Sequence, residues 1–321
     1  AVDGFNYSPS TIVNDSPRTF TVGDTVWTPG NFDKTFMGNI TLRVALEKSR
    51  NLVSVDVVTR IGLTPVIKYA SLLGIEAPLG RNLSISLGSS EVTVLELTRA
   101  YGVFPAEGVL FPSNFITKIL DRNGNIIFAQ ENITKAKQVI SRESAFIMSH
   151  MMQGVVQSGT ATVVKALERP AAGKACTTND FMDTWFVGFT PDWGAGVWVG
   201  FDQKKQIGPK ETGGRISAPI WLNFMKPFIE YQEKRRYEVL AKETKEEAER
   251  LGIEYDSPPP ITPSEFRVPE GVEPYWVNKA TGYQANAGEP GAILEYFKKG
   301  TKPKAYVQTT STESYLEDPN F

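Results

Sequence analysis

The chain has almost none of the two residues that most often build metal centres and catalytic triads. It carries one cysteine, Cys176, and one histidine, His150. A single cysteine cannot close an intramolecular disulfide. One histidine and one cysteine also leave little material for a Cys/His metal cluster or a Ser-His-Asp triad, so no metal and no cofactor are expected. Charge is slight: 34 Lys and Arg stand against 36 Asp and Glu, a net charge of -2. Phosphate backbones are usually met by a basic excess, so nucleic acid is not an expected partner. No apolar run approaches the ~20 residues that span a bilayer, and no basic-apolar-small leader opens the chain. The first residue is Ala1 and not Met, and the chain reads as an excerpt from a longer protein.

What is present suffices for a sizeable core. The 321 residues allow two domains, or one large domain with an appendage, and 41% of them are hydrophobic. Residues 1–40 are turn-rich, with Asn14-Asp15-Ser16-Pro17 and Thr28-Pro29-Gly30-Asn31 between brief strand-like pieces. Thr41 can cap a helix running to Lys48, because its hydroxyl accepts from an early backbone N–H. A second helix is expected over 52–61, stopped by Gly62, and a third over 64–73, stopped by Gly74. Thr93-Val94-Leu95-Glu96 spells a capping box for a helix reaching about residue 104. Asn123-Gly124 between apolar runs predicts a hairpin. Ser141 opens a Met-rich helix to about residue 157, and a short piece continues to residue 167. Met148, Met151 and Met152 read as packing, and His150 as a core-edge or surface residue.

Three strand-like runs follow, over 172–178, 184–189 and 196–201. Trp185, Trp193 and Trp198 read as sheet and hairpin packing, and Glu91 and Asp183 as structural. A long helix begins near Pro219, apolar at first and charged from Glu230 onward, which reads as a solvated face. Ser257-Pro258-Pro259-Pro260 is expected to break it. The tail beyond residue 266 reads as a small β appendage, with polar, aperiodic residues from Thr309 onward expected to be disordered.

Two short strings carry candidate chemistry. Ser49-Arg50-Asn51 sits between two predicted helices, where Ser and Asn are ordinary turn formers. Lys174-Ala175-Cys176-Thr177-Thr178 lies on a predicted strand. Alone, each is unremarkable. Their surroundings change the reading: residues 38–51, containing Thr41-Leu42-Arg43-Val44-Ala45-Leu46-Glu47-Lys48-Ser49-Arg50-Asn51; Ser86-Leu87-Gly88-Ser89-Ser90-Glu91; Ser158-Gly159-Thr160-Ala161; Thr178-Asn179-Asp180; Trp185-Phe186-Val187-Gly188-Phe189; Thr212-Gly213-Gly214; and Ala218-Pro219-Ile220-Trp221. With these strings the chain strongly resembles the transpeptidase domain of class A, bifunctional penicillin-binding proteins, over about residues 1–228.

The resemblance implies an α/β (α+β) fold of the penicillin-binding/β-lactamase type, a mainly antiparallel sheet flanked by helices. It implies a partial transpeptidase domain over 1–230, a charged helix over 231–256 and a Pro/Gly-rich extension over 257–321. It implies acyl transfer without histidine, in which a serine of S-x-x-K attacks the D-Ala-D-Ala carbonyl of a peptidoglycan stem peptide. A second stem's amine then resolves the acyl-enzyme into a cross-link, and β-lactams trap the same serine. Ser49, Asn51 and Lys174 take the catalytic places: Ser49 in a proton relay, Asn51 on the substrate amide, Lys174 as positive charge for the terminal carboxylate. Thr177 and Thr178 take substrate-binding places, the Thr177 N–H forming half of an oxyanion hole.

Two departures stand out. The family reads Lys-Thr-Gly where this chain has Lys174-Ala175-Cys176, so Ala175 lacks a hydroxyl expected at the carboxylate and Cys176 replaces a glycine. A nucleophilic role for Cys176 would need a depressed thiol pKa. S-x-x-K itself is absent from the chain, and the resemblance places it upstream of Tyr7-Ser8-Pro9-Ser10. The expected function is a piece of a cell-wall D,D-transpeptidase whose parent is membrane-anchored and extracytoplasmic, on the periplasmic face of the bacterial inner membrane, with an upstream glycosyltransferase. Expected partners are stem peptide, β-lactams and other cell-wall synthesis proteins, with membrane contact only through the missing part. The alternatives are a non-catalytic stem-peptide-binding or scaffolding pseudoenzyme and, less favoured, a serine β-lactamase or sensor.

Overall fold

The computed structural model describes residues 1–22, 25–130, 136–178 and 181–305. The Asn179-Asp180 pair and the tail from Thr309 lie outside them. The N-terminal arm gives β1 (Ile12–Asp15), β2 (Phe20–Val22), β3 (Thr25–Trp27) and β4 (Gly38–Thr41). β1 pairs antiparallel with β4, and β2 with β3. Three helices follow: α1 (Leu42–Glu47), α2 (Asn51–Ile61) and α3 (Leu63–Leu72). The Thr41 hydroxyl caps α1 by accepting from the Val44 N–H, and Gly62 separates α2 from α3 with φ 82°, a backbone region open mainly to glycine. A 3-10 turn over Leu83–Leu87, not foreseen from sequence, precedes α4 (Val94–Gly102), and both halves of the Thr93/Glu96 capping box form.

Next come β5 (Val109–Leu110), the hairpin β6 (Lys118–Leu120) and β7 (Ile126–Ala129), and β8 (Lys137–Gln138), which pairs with β5. α5 (Arg142–Gln157) is capped by the Ser141 hydroxyl, and a 3-10 turn over Thr162–Leu167 extends it. Ten of the sixteen α5 residues are buried, from Ser144 to Val156, so the helix faces protein on nearly all sides.

The central sheet comprises β9 (Ala172–Thr177), β10 (Asp183–Phe189) and β11 (Gly194–Gly200), antiparallel in the order β11-β10-β9. β9 is therefore an edge strand. One sheet face carries Ala175 and Phe186 against α6 (Ser217–Leu251). α6 buries Ala218, Trp221, Leu222, Met225 and Ile229, a helical stripe, and its remainder is solvated with exposed Lys-to-Glu pairs. Trp221 and Phe186 meet edge to face at 5.4 Å, both fully buried, each worth about 2–3 kcal/mol of apolar transfer. The other face packs Ala172 and Phe189 against Met152 of α5, with Tyr101 and Phe104 beside them. The helix α6 stops at Gly252, in the left-handed conformation, five residues before the Ser257-Pro258 break that sequence suggested. Among the described residues no helix is long and apolar enough to cross a membrane.

The last hairpin pairs β12 (Val272–Asn278) with β13 (Ala292–Lys298). It does not hang free. Glu295 of β13 is buried against Arg43 of α1, and Phe266 meets Phe189 edge to face at 5.9 Å.

Candidate active site

Ser49 stands where α1 ends. Its N–H donates to the Leu46 carbonyl at 3.1 Å, and the Arg50 N–H donates to the Ala45 carbonyl at 2.9 Å. This is the bond pattern of a Schellman helix end, whose left-handed residue is usually glycine. Here Ser49 occupies it with φ 53°. A side chain in that region costs about 1–2 kcal/mol, so strain is spent where a hydroxyl is displayed.

Arg50, the middle residue of the string, fixes the turn from behind. Its guanidinium is buried and donates to Asp15 at 2.7 Å, to Asp33 at 2.8 Å, and to the Thr35 carbonyl. Asn31 joins in, donating to Asp15 at 2.7 Å and accepting from the Leu52 N–H at 3.3 Å. Sequence reasoning passed over Arg50. The signal was a guanidinium inside a turn with two aspartates upstream, but nothing local said which way it pointed. The Asn51 amide donates to the Gly30 carbonyl at 3.0 Å, tying the start of α2 to the same arm.

Lys174 approaches from the other side. On β9, Lys174 and Cys176 point to one sheet face and Ala175 to the other. The Lys174 ammonium donates to the Ser49 hydroxyl at 2.8 Å and to the Ala175 carbonyl at 2.6 Å. The two strings, 125 residues apart, thus meet. Phe32 and Phe181 bridge the same two regions edge to face at 5.4 Å, a contact the sequence did not suggest. The ammonium is packed among protein atoms although the residue as a whole is half-buried. This burial pushes its pKa down, with a charge on Cys176 opposing.

Thr177 accepts from the Gly213 N–H at 3.1 Å, which leaves its hydroxyl hydrogen available. Gly213 lies so close to the Cys176 and Trp185 backbones that a Cβ there would clash with them. Thr178 spends its hydroxyl on the strand turn, accepting from the Asp183 N–H at 2.9 Å and donating to the Asp183 carbonyl at 3.2 Å.

The two departures behave differently. Ala175 is buried among Phe186, Trp221 and Val156 on the α6 face. A hydroxyl at that Cβ would enter the core and not the Ser49–Lys174 groove. Cys176 is reached by solvent, yet burial of its sulfur pushes the thiol pKa up, with Lys174 opposing. A thiol so shifted is a poor nucleophile at neutral pH. His150 is more engaged than its sequence context implied: it touches Glu295 at 3.1 Å and Arg43 at 2.6 Å.

A family model described as the penicillin binding protein transpeptidase domain matches residues 5–226. Penicillin-binding protein 1A of Aquifex aeolicus is 40% identical over 62% of this chain and 27% of its own length. Penicillin-binding protein 1A of Pseudomonas aeruginosa is 30% identical over 92% of this chain and 39% of its own length. The chain therefore spans well under half of these relatives. The crystal structure of penicillin-binding protein 1A from Haemophilus influenzae shares the fold with a TM-score of 0.76 at 23% identity, over 94% of this chain and 46% of that one. PonA1 of Mycobacterium tuberculosis in complex with penicillin V gives a TM-score of 0.59 at 23% identity, over 69% of this chain and 64% of that one. The fold, the meeting of the two strings and the family match agree: this chain belongs to the penicillin-binding protein transpeptidase family.

Proposed function

We infer that this chain is part of a peptidoglycan D,D-transpeptidase and supplies the proton-handling and carboxylate-binding side of its cleft. The observation that carries this reading is the 2.8 Å contact between the Lys174 ammonium and the Ser49 hydroxyl beside an open strand edge. The attacking serine would come from an S-x-x-K sequence that these residues do not contain.

The residues present have distinct tasks in that scheme. Lys174, made more acidic by burial, donates to Ser49; the Ser49 hydroxyl in turn hands a proton to the departing amine as the acyl bond forms. The positive charge of Lys174 receives the substrate's terminal carboxylate, whereas the Thr177 hydroxyl, on the α6 face with Ala175 and bonded to the Gly213 N–H, anchors the strand end. The Thr177 N–H stabilises the oxyanion, and Thr178 keeps that strand end in shape through Asp183. The open edge of β9 can pair with an extended peptide, as sheet edges commonly do. Asn51, held by Gly30, keeps its amide oxygen free to accept from a substrate N–H. Penicillin V bound to the PonA1 relative supports β-lactam and stem-peptide binding as the ligand class. The parent protein would work outside the cytoplasm, where its substrate lies.

A fluorescent penicillin tests the reading. The isolated chain stays unlabelled, whereas a longer form carrying S-x-x-K is labelled covalently. Lys174→Met in that longer form lowers the acylation rate by about 10²–10⁴, the usual worth of positioned proton transfer. An unlabelled longer form would sink the transpeptidase reading in favour of a non-catalytic binder.

A further inference from the structure

α1 is only six residues long, too short to hold its shape unaided. Its end nevertheless delivers Ser49 to within 2.8 Å of Lys174. Beside its packing on α5, β1 and β4, it is held by a segment from the far end of the chain. The Thr41 hydroxyl, at the start of α1, donates to the Lys279 carbonyl at 3.0 Å. Glu47, the last residue of α1 and nearly inaccessible, pairs with the Lys279 ammonium at 2.7 Å. Lys279 therefore grips the helix at both ends, one end with its carbonyl and the other with its ammonium.

The grip is braced from α5. The Ser158 hydroxyl donates to Glu47 at 3.0 Å and accepts from Lys279 at 3.0 Å, and Lys48 donates to the Ser158 carbonyl at 2.8 Å. Gly154 leaves no spare room, since a Cβ there would collide with the Glu47 carboxylate and the Arg43 guanidinium. In the first turn of α1, Arg43 donates to Glu295 of β13 at 2.7 Å and to the His150 carbonyl at 3.1 Å. Lys279 itself sits on a stiff corner, because Asn278 accepts from the Ala280 and Thr281 N–H groups at 3.0 and 3.1 Å.

We propose that the C-terminal hairpin is a working part of the Ser49–Lys174 site, with Lys279 and Glu295 as positioning residues that hold α1 so that its last turn presents Ser49. That Ser49 serves acyl transfer rests on the transpeptidase reading; that the hairpin places it does not. Beyond the helix the turn is held by the Ser49 and Arg50 backbone bonds and by the Arg50 side chain, so the last turn of α1 itself relies on the clamp at Glu47. Releasing Glu47 from Lys279 frees the last turn of α1 to fray, and the hydroxyl then leaves the ammonium.

Amide hydrogen exchange on this chain reads the placement directly. Lys279→Met speeds exchange at the Ser49 and Arg50 amides by about tenfold or more, while Val187 at the centre of the sheet is unchanged. Lys279→Arg, which keeps the charge and reach, restores protection. Exchange at Ser49 and Arg50 that is unchanged, or that rises only in step with Val187, overturns the proposal, because the hairpin is then an ordinary staple. Should Lys279→Met fail to fold, Glu47→Gln removes the same ion pair, together with the 3.6 Å pair to Arg43, with an isosteric amide and is read by the same three amides. In the longer form, Lys279→Met lowers the second-order rate of penicillin acylation by about tenfold, and Lys279→Arg recovers it. A wild-type longer form that is never acylated refutes the transpeptidase reading and leaves the exchange result to decide the placement.

Discussion

Two cations, Arg43 within α1 and Lys174 beyond its last turn, are treated in opposite ways. Arg43 loses most of its water, and burial alone would lower its pKa, yet Glu295 and Glu47 more than offset this and raise it. Lys174 also loses water around its ammonium, but its partners are a hydroxyl and a carbonyl, and its pKa falls. The first charge is matched by carboxylates and holds two distant segments together. The second is left partly unmatched beside an open strand edge. Desolvation is common to both; the supply of counter-charge separates a structural cation from one available for chemistry.

The comparison can be broken most easily by removing each cation. Arg43→Met takes the guanidinium from the buried Glu295, which keeps only His150, and lowers stability by about 3–5 kcal/mol in urea denaturation, whereas Lys174→Met changes it by less than about 1 kcal/mol. Equal losses would show that both cations are structural. The next largest effect is acid sensitivity. Burial alone would raise the Glu295 pKa, but Arg43 and His150 outweigh it and hold the carboxyl at about 2, below the ordinary 4.5. The folded pKa lies under the unfolded one. The contribution is therefore whole above pH 4.5 and vanishes as pH falls toward 2, an amount on the order of 3 kcal/mol. Urea midpoints measured across that window fall steeply in the wild type, and Glu295→Gln flattens the slope. A wild-type slope no steeper than that of Glu295→Gln would remove Glu295 from the comparison.

The smallest effect concerns the strained serine between the two cations. Ser49→Gly relieves the left-handed backbone and raises stability by about 1 kcal/mol, whereas Ser49→Ala, which keeps the strain, does not. Thermal melts of the two variants sharpen the distinction between a residue kept for folding and one kept for its hydroxyl. A glycine variant no more stable than the alanine one would mean that the turn carries no strain.

Much of the local structure was readable in advance. Thr41, Thr93 and Ser141 cap helices as their spacing suggests, because a cap is a bond to a backbone group three residues on. Asn123-Gly124 turned the hairpin, and the apolar stripe of α6 found the core. The end of α6 was misplaced, since Gly252 in a left-handed turn closes a helix before any proline has to. The sense of Ala175 was also hidden: which face of a strand is buried depends on what packs there, and only α6 made it the inner face.

The sequence by itself determined the helix boundaries near their caps, the turn at Ser49, the strand carrying Lys174 and, through its family strings, the kind of fold that joins them. Only the tertiary structure decided that Arg43 would meet Glu295, 252 residues away, and that Lys279 would grip both ends of α1. The reason is range. Caps and turns are contacts within a few residues and leave a mark in spacing. A charge pair between distant segments leaves none, because any arginine and any glutamate could be partners until packing excludes water from one pair.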